Sequence, residues 1–344
     1  MRNFILFLSL ILLYPLESWA SGSETEKIMI RAVGDIMMAG SMEEFVKEKG
    51  YDYPFSETRQ ILQRSDICFA NLESPLTEEG TRVLDKQFTF KMPPKSLDAL
   101  IHAGFNLFSL ANNHILDYGE EGLKSTLQLL RSNKINFAGA GENLKEARQP
   151  AIFEVRGIKI GFLAYSLTFP ESFYASSNKP GTAFGHLKFL KKDIKSLRKK
   201  VDLIIVSFHW GGALMKYPKD YQIELAHQAV RSGADLVFGH HPHVVQGIER
   251  YQKGIIFYSL GNFVFGSYSH NARRSIIAGI TWGRRGVEQI EIVPINVFNA
   301  EVLFNPRILS GKEAEETIAE LNLISQSFNT KIIYQEGNGL IELK

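Results

Sequence analysis

From Ile28 onward one unit recurs along the chain: a helical stretch, a short turn, an apolar strand, and then a knot of polar residues. Met29 to Val33 runs into Gly34-Asp35. Helical sequence ending near Arg64 leads through Ile67 to Ala70 into Asn71-Leu72-Glu73. A helix through Leu97, Leu100 and Ile101 stops at Gly104, and Leu107 to Leu110 then opens onto Asn112-Asn113-His114. Leu203 to Phe208 runs into His209-Trp210-Gly211. A helix through Ile223, Leu225, Ala226 and Val230 ends at Gly233, before Leu236 to Phe238 and Gly239-His240-His241-Pro242-His243. Ile255 to Leu260 leads into Gly261-Asn262. Short apolar runs alternating with helices predict strands buried beneath helices, an α/β chain.

Ile152 to Val155 and Ile158 to Tyr165 flank Arg156-Gly157 as a hairpin, so the sheets are expected to be mixed. Ala278 to Val297 adds strand-like sequence and Glu313 to Ser327 a closing helix. No linker rich in Gly, Pro or Ser divides the chain, so residues 21–344 read as one domain with a C-terminal strand and helix extension. Lys188 to Lys200 is basic, but Leu187, Leu190, Ile194, Leu197 and Val201 recur at helical spacing, so its charges read as a solvated helix face.

The polar knots matter because ligands of open α/β sheets bind outside the carboxyl ends of the strands. His241 and His243, two apart on an extended segment, are expected to aim into one pocket, with Pro242 stiffening the link. A histidine-rich surface loop is the alternative. Asn71 and Glu73 share the same spacing, and Glu73 can bridge cations or serve as a helix N-terminal charge. Asp35 offers a hard carboxylate or a helix cap. Asn113 offers an amide oxygen and His114 a ring for proton transfer, although Asn112 and Asn113 also suit a turn. His209 sits at a matching strand end. His102, His186, His227 and His270 lack such neighbours and are expected to be structural or superficial. Mixed imidazole and carboxylate ligation suits zinc, iron or manganese better than calcium. One or two such ions could activate water, with a histidine protonating a leaving group.

The first twenty residues stand apart. Arg2, the apolar run Phe4 to Tyr14 and the small-x-small site Ser18-Trp19-Ala20 have the layout of a secretory signal peptide over residues 1–20. An uncleaved anchor is the rival, but the run is short of the roughly 20 residues that a membrane span needs. Export is therefore expected, to the periplasm, the exterior or the outer side of the cytoplasmic membrane. Cys68 is the only cysteine, which excludes an intramolecular disulfide, and its apolar setting predicts a buried thiol. A formal net charge of +2 gives no support for nucleic acid as a partner.

The ordered set Gly34-Asp35-Ile36-Met37, Asn71-Leu72-Glu73, Ala111-Asn112-Asn113-His114, His209-Trp210-Gly211, Gly239-His240-His241-Pro242-His243 and Tyr258-Ser259-Leu260-Gly261-Asn262-Phe263 resembles the CapA family. Its members are associated with poly-γ-glutamate capsule synthesis. The resemblance runs from about Met29 to Phe265. That family is in turn similar to calcineurin-like metallophosphoesterases, which implies a four-layer α/β/β/α sandwich of two mixed sheets. It also implies metal ligation by Asp35, Glu73, Asn113, His209, His241 and His243, with His114 as the catalytic histidine. Asn71, Asn112, His240 and Asn262 would support these residues or touch substrate. Met37 stands where the phosphoesterases carry a ligand histidine.

Three functional readings follow from the ordered motifs, the candidate ligands with His114, and the signal segment. The first is an exported protein of poly-γ-glutamate synthesis or export, with the anionic polymer and membrane proteins of capsule assembly as partners. The second is a metal-dependent phosphoester hydrolase without a capsule role. The third is a non-catalytic scaffold stabilised by metal.

Overall fold

A computed structural model describes residues 27–343; the expected signal segment lies outside the described residues. Strands β1 (Ile28–Met37), β2 (Ile67–Leu72), β3 (Leu107–Ser109) and β4 (Asn136–Ala138) run parallel, side by side, in the first sheet. Strands β5 (Ala151–Val155) and β6 (Ile158–Ser166) form the hairpin about Arg156-Gly157. β6 continues in parallel with β7 (Leu203–His209), which is parallel to β8 (Leu236–His240). Strands β9 (Ile248–Tyr251) and β10 (Gly254–Phe257) complete a six-stranded second sheet in the order β9-β10-β8-β7-β6-β5. The chain then returns to the first sheet with β11 (Asn262–Phe265), parallel to β1. β12 (Arg274–Gly283) and β13 (Gly286–Asn296) extend that sheet antiparallel, and β14 (Ile332–Gln335) and β15 (Asn338–Ile341) close its far edge. Both sheets are mixed.

Strand alternation sets the layers. In β2, Ile67 and Phe69 face the second sheet, while Cys68, Ala70 and Leu72 face outward. In β7, Leu203 and Ile205 face inward, and Ile204, Val206 and Phe208 outward. Helices α1 (Ser96–Ala103) and α2 (Gly119–Ser132) cover the outer face of the first sheet through Leu97, Leu100, Leu123, Leu127 and Leu130. Helices α3 (Leu187–Leu197) and α4 (Asp220–Ser232) cover the second through Leu190, Ile194, Ala226 and Ala229. Three apolar interfaces thus separate four layers, α/β/β/α, as expected. Helix α5 (Gly311–Ser325) adds Ile318, Leu321 and Ile324 to the central core.

Two local expectations need correction. The helical stretch ending near Arg64 is two short pieces, Glu43–Lys49 and Arg59–Leu62, divided at Gly50 and by the 3-10 turn Tyr53–Phe55. Gly50 has φ +88°, a left-handed stop that ends the first piece. The expected strand Ile255 to Leu260 ends at Phe257, and Tyr258 to Gly261 cross from the second sheet to the first. Two glycines make room for that crossing. A Cβ on Gly34 would stand 1.8 Å from the Gly261 carbonyl oxygen, and one on Gly239 1.9 Å from that of Tyr258. The crossing segment is stitched to both sheets by Asp35 N–H to Gly261 O and Leu260 N–H to Gly239 O, each 3.0 Å.

Candidate metal centre

The crossing segment draws the carboxyl ends of β1, β2, β7 and β8 to one place. Along β1, Ala32 pairs with Phe69 and Asp35 with Asn71, so three steps on β1 match two on β2. The extra residue is a β-bulge at Val33-Gly34, a device that re-aims the side chains after it. Asp35 thereby turns into the space between the sheet ends, fully buried. Met37 is also fully buried, but among the apolar residues of the outer core.

Asn71 is the hub. Its Nδ2 donates to Asp35 Oδ1 at 2.9 Å and Glu73 Oε2 at 3.1 Å, and lies 3.3 Å from His209 Nδ1. Asn112 holds the hub from behind: its Nδ2 donates to Asn71 Oδ1 at 3.1 Å and to the Leu72 carbonyl at 2.8 Å. The Asn112 side-chain oxygen meanwhile accepts from the backbone N–H groups of His114 and Ile115, so this asparagine both shapes its turn and fixes the site. It is 1 % exposed and has no face toward a substrate. The same is true of His240. This ring is fully buried, with Nδ1 3.0 Å from Asp35 Oδ1 and Phe69 packed against it.

His241 and His243 do meet at the site, but not by the expected route. The segment is a tight loop rather than an extended run, with His241 at φ +91° and His243 at φ +60°. Both are left-handed, a conformation that costs on the order of 1–3 kcal/mol for a non-glycine residue and persists where surrounding contacts impose it. His241 N–H donates to Asp35 Oδ2 at 3.3 Å, and His243 Nδ1 lies 3.3 Å from the same oxygen and 2.9 Å from Asn262 Oδ1. Asn262 is the register partner of Asp35 across β1 and β11. From the second sheet, His209 places Nε2 2.8 Å from Asn113 Oδ1 and 3.7 Å from Glu73 Oε1. All eleven singled-out residues thus converge, seven from the first sheet and its loops and four from the second.

His114 brings two residues that sequence reasoning missed. Its Nδ1 lies 2.7 Å from Asp117 Oδ2 and 2.9 Å from Lys86 Nζ. Lys86 also pairs with Asp117 Oδ1 at 2.5 Å and donates to the Asn113 carbonyl. Phe90 N–H completes the shell of Asp117 at 2.8 Å. The spacing of Asp117, three residues after His114, was a usable signal; Lys86, in an irregular loop, left none.

The charges are unevenly held. Burial would raise the Asp35 carboxyl, but hydrogen bonds and charges from His240 and His243 outweigh it and hold the group well below the usual range. Burial, then the neighbouring charge of Asp35, pushes Glu73 well above it. Burial pushes His209 well down and, with His243, takes His241 down to about 3. Burial also lowers His114, against the pull of Asp117. The site thus favours the charged form of Asp35 and the neutral forms of Glu73, His114, His209 and His241.

That donor set fits a divalent cation. Ligand atoms of Asp35, Glu73 and His209 lie within 4.8 Å of one another, as do those of Glu73, His241 and His243. The two groups share Glu73, whose Oε1 is buried without a hydrogen-bond partner. Oxygen and imidazole donors of this kind match zinc, iron or manganese.

The comparisons with known proteins agree with the architecture. A family profile described as "Bacterial capsule synthesis protein PGA_cap" matches residues 29–267. The chain is 34 % identical over 281 residues to "Capsule biosynthesis protein CapA" of Bacillus anthracis, covering 80 % of this chain and 68 % of that one. It is 32 % identical over 292 residues to "PGA biosynthesis protein CapA" of Bacillus subtilis strain 168, covering 82 % and 77 %. Among solved structures, the NAD nucleotidase NadN of Haemophilus influenzae superposes with a TM-score of 0.50 at 13 % identity, over 86 % of this chain and 56 % of that one. This last likeness speaks to the fold alone, which is of the metallophosphoesterase type. Since the profile spans most of the chain and both Bacillus proteins exceed 30 % identity, this protein belongs to the bacterial capsule synthesis family PGA_cap.

Proposed function

We propose that this protein serves poly-γ-glutamate capsule synthesis or export, acting outside the cytoplasmic membrane through a divalent-metal centre of the metallophosphoesterase type. The observation that carries the reading is Glu73, common to two ligand groups, whose buried Oε1 has no hydrogen-bond partner. Membership of the capsule-synthesis family supports the polymer. When bound, one or two ions of manganese, iron or zinc would supply positive charge toward a substrate oxygen and a more acidic water. The protein's own residues do the rest. Asn71 orients both carboxylates, His240 holds Asp35, and Asp117, itself held by Lys86, accepts from Nδ1–H and fixes the His114 ring. That leaves His114 Nε2 to exchange a proton with a reacting group.

Export by way of residues 1–20 and contact with membrane proteins of capsule assembly belong to the same proposal. Deleting the gene in a capsule-forming strain should reduce surface polyglutamate, and the wild-type gene should restore it where His241→Ala does not. An unchanged capsule contradicts the reading. Cell fractionation with N-terminal sequencing of the mature chain checks the export.

The His114–Asp117 pair favours a second reading, a phosphoester hydrolase without a capsule role. Metal-reconstituted protein assayed on a phosphodiester panel tests it. Turnover lost in His114→Ala supports the hydrolase, and inactivity with every metal removes it.

A further inference from the structure

Just past His243 the chain enters the wall of a separate cavity, of about 230 Å³, which none of the metal-centre residues lines. Its floor is apolar, made by Val245, Ile276, Leu321 and Ile324, where the central core reaches the surface beneath helix α5. Its rim is basic: Lys216, Arg273 and Arg274 line it against the single carboxylate of Glu320.

All three cations have carboxylate partners. Lys216 Nζ lies 2.8 Å from Glu320 Oε1, with both side chains more than half exposed, and Arg273 pairs with Glu301 at 2.6 Å. Exposed pairs of this kind contribute only about 0–1 kcal/mol, so an incoming anion can replace the partner at little cost. Arg274 differs. Its Nη2 donates to Glu313 at 2.9 Å, but its Nη1 is buried and has no hydrogen-bond partner. The Arg274 side chain is also the least exposed of the three, so its charge stands in the driest part of the cavity wall. The guanidinium fork matches a carboxylate.

We propose that this cavity is a subsite for an aliphatic carboxylate: a short methylene stem on the Val245–Ile276–Leu321–Ile324 floor, its carboxylate on Arg274 and Lys216. The cavity is smaller than the roughly 300 Å³ at which whole-ligand pockets begin, so it takes one unit of a longer molecule rather than all of it. With the polymer proposed above, that unit is a single γ-linked glutamyl residue, and the neighbouring unit extends toward His243. The polymer assignment rests on the proposed function; the carboxylate site does not.

Glutarate and γ-linked tri-glutamate, titrated into the metal-free chain by calorimetry, test the subsite. Both should bind. Arg274→Gln should weaken each at least tenfold, the exposed Lys216→Gln severalfold with an unchanged unfolding curve, and His241→Ala should leave glutarate binding intact. Glutarate that does not bind, or binds both rim variants as it binds wild type, overturns the subsite while leaving the capsule reading untouched. An unchanged capsule on gene deletion has the opposite effect.

Discussion

Asn113 Oδ1 lies 2.8 Å from His209 Nε2, an amide from the first sheet against an imidazole from the second. Here the ring donates and the amide oxygen accepts, so a proton occupies the line between two atoms that are also good metal donors. Asp35 and Glu73 are pushed in opposite directions, Asp35 toward its charged form and Glu73 toward its neutral form. In the metal-free chain protons would stand in for a cation, and the first two predictions below depend on that exchange.

Glu73→Gln keeps the shape of the side chain and removes its charge. In metal-free protein it should be neutral or stabilising, because the carboxylate beside Asp35 is the group that burial disfavours. It should also abolish the response to metal. Wild type gains about 2.7 kcal/mol when free metal reaches a hundred times Kd. Denaturation midpoints with and without manganese or zinc measure both effects, and a wild-type-like metal shift in Glu73→Gln contradicts the shared-ligand geometry.

Acid should weaken the metal-free protein from about neutrality downward. His241 falls from its ordinary 6.5 to about 3 on folding, and His209 also falls. Below 6.5 the unfolded chain therefore binds more protons, and stability drops as pH falls toward the folded values, by up to about 1.4 kcal/mol per pH unit for each ring. Asp35, lowered on folding, contributes stability above its unfolded value, and this is lost only as pH falls through its folded value. Glu73 has the opposite sign: raised on folding, it favours the native state below its unfolded value and loses that advantage as pH rises. Urea midpoints at pH 7, 6, 5 and 4 should show a shallower decline in His241→Gln.

Gly34→Ala should fail structurally. The added methyl meets the Gly261 carbonyl oxygen on the crossing segment, where backbone cannot yield without moving the bulge that aims Asp35. Overpacking of this sort costs about 1–3 kcal/mol or more. Soluble yield and unfolding midpoint should both fall, and a wild-type midpoint would contradict the close approach.

Lys86→Met should loosen the loop it anchors. Asp117, fully buried, would lose one of three partners, and the Asn113 carbonyl its donor. Removing one member of a buried ion pair costs about 3–5 kcal/mol; Lys86, with its side chain 14 % exposed, should fall at or below the low end. Cleavage within residues 77–91 by a nonspecific protease should accelerate, and an unchanged rate would show that the loop is held by other contacts.

The repeat of apolar strand and polar knot made the layers and the location of the site legible, because strand alternation and burial are local properties of sequence. The hairpin at Arg156-Gly157 and the solvated face of α3 were legible for the same reason. What was hidden depended on contacts between distant segments. Gly34 and Gly239 owe their places to a crossing segment whose contacting residue lies 227 positions from the first and 19 from the second. The left-handed turns at His241 and His243 are imposed by Asp35 and Asn262, and no local preference announces them. Lys86 reaches His114 from an irregular loop with no period to read.

The central claim is that Asp35, Glu73, Asn113, His209, His241 and His243 form a divalent-metal centre. Elemental analysis of purified wild-type chain beside His241→Ala, after equal dialysis against a weak chelator, tests it most directly. Wild type should retain at least one manganese, iron or zinc ion per chain and the variant markedly less. A metal-free wild type that also fails to take up added metal, or equal retention by the two proteins, would contradict it.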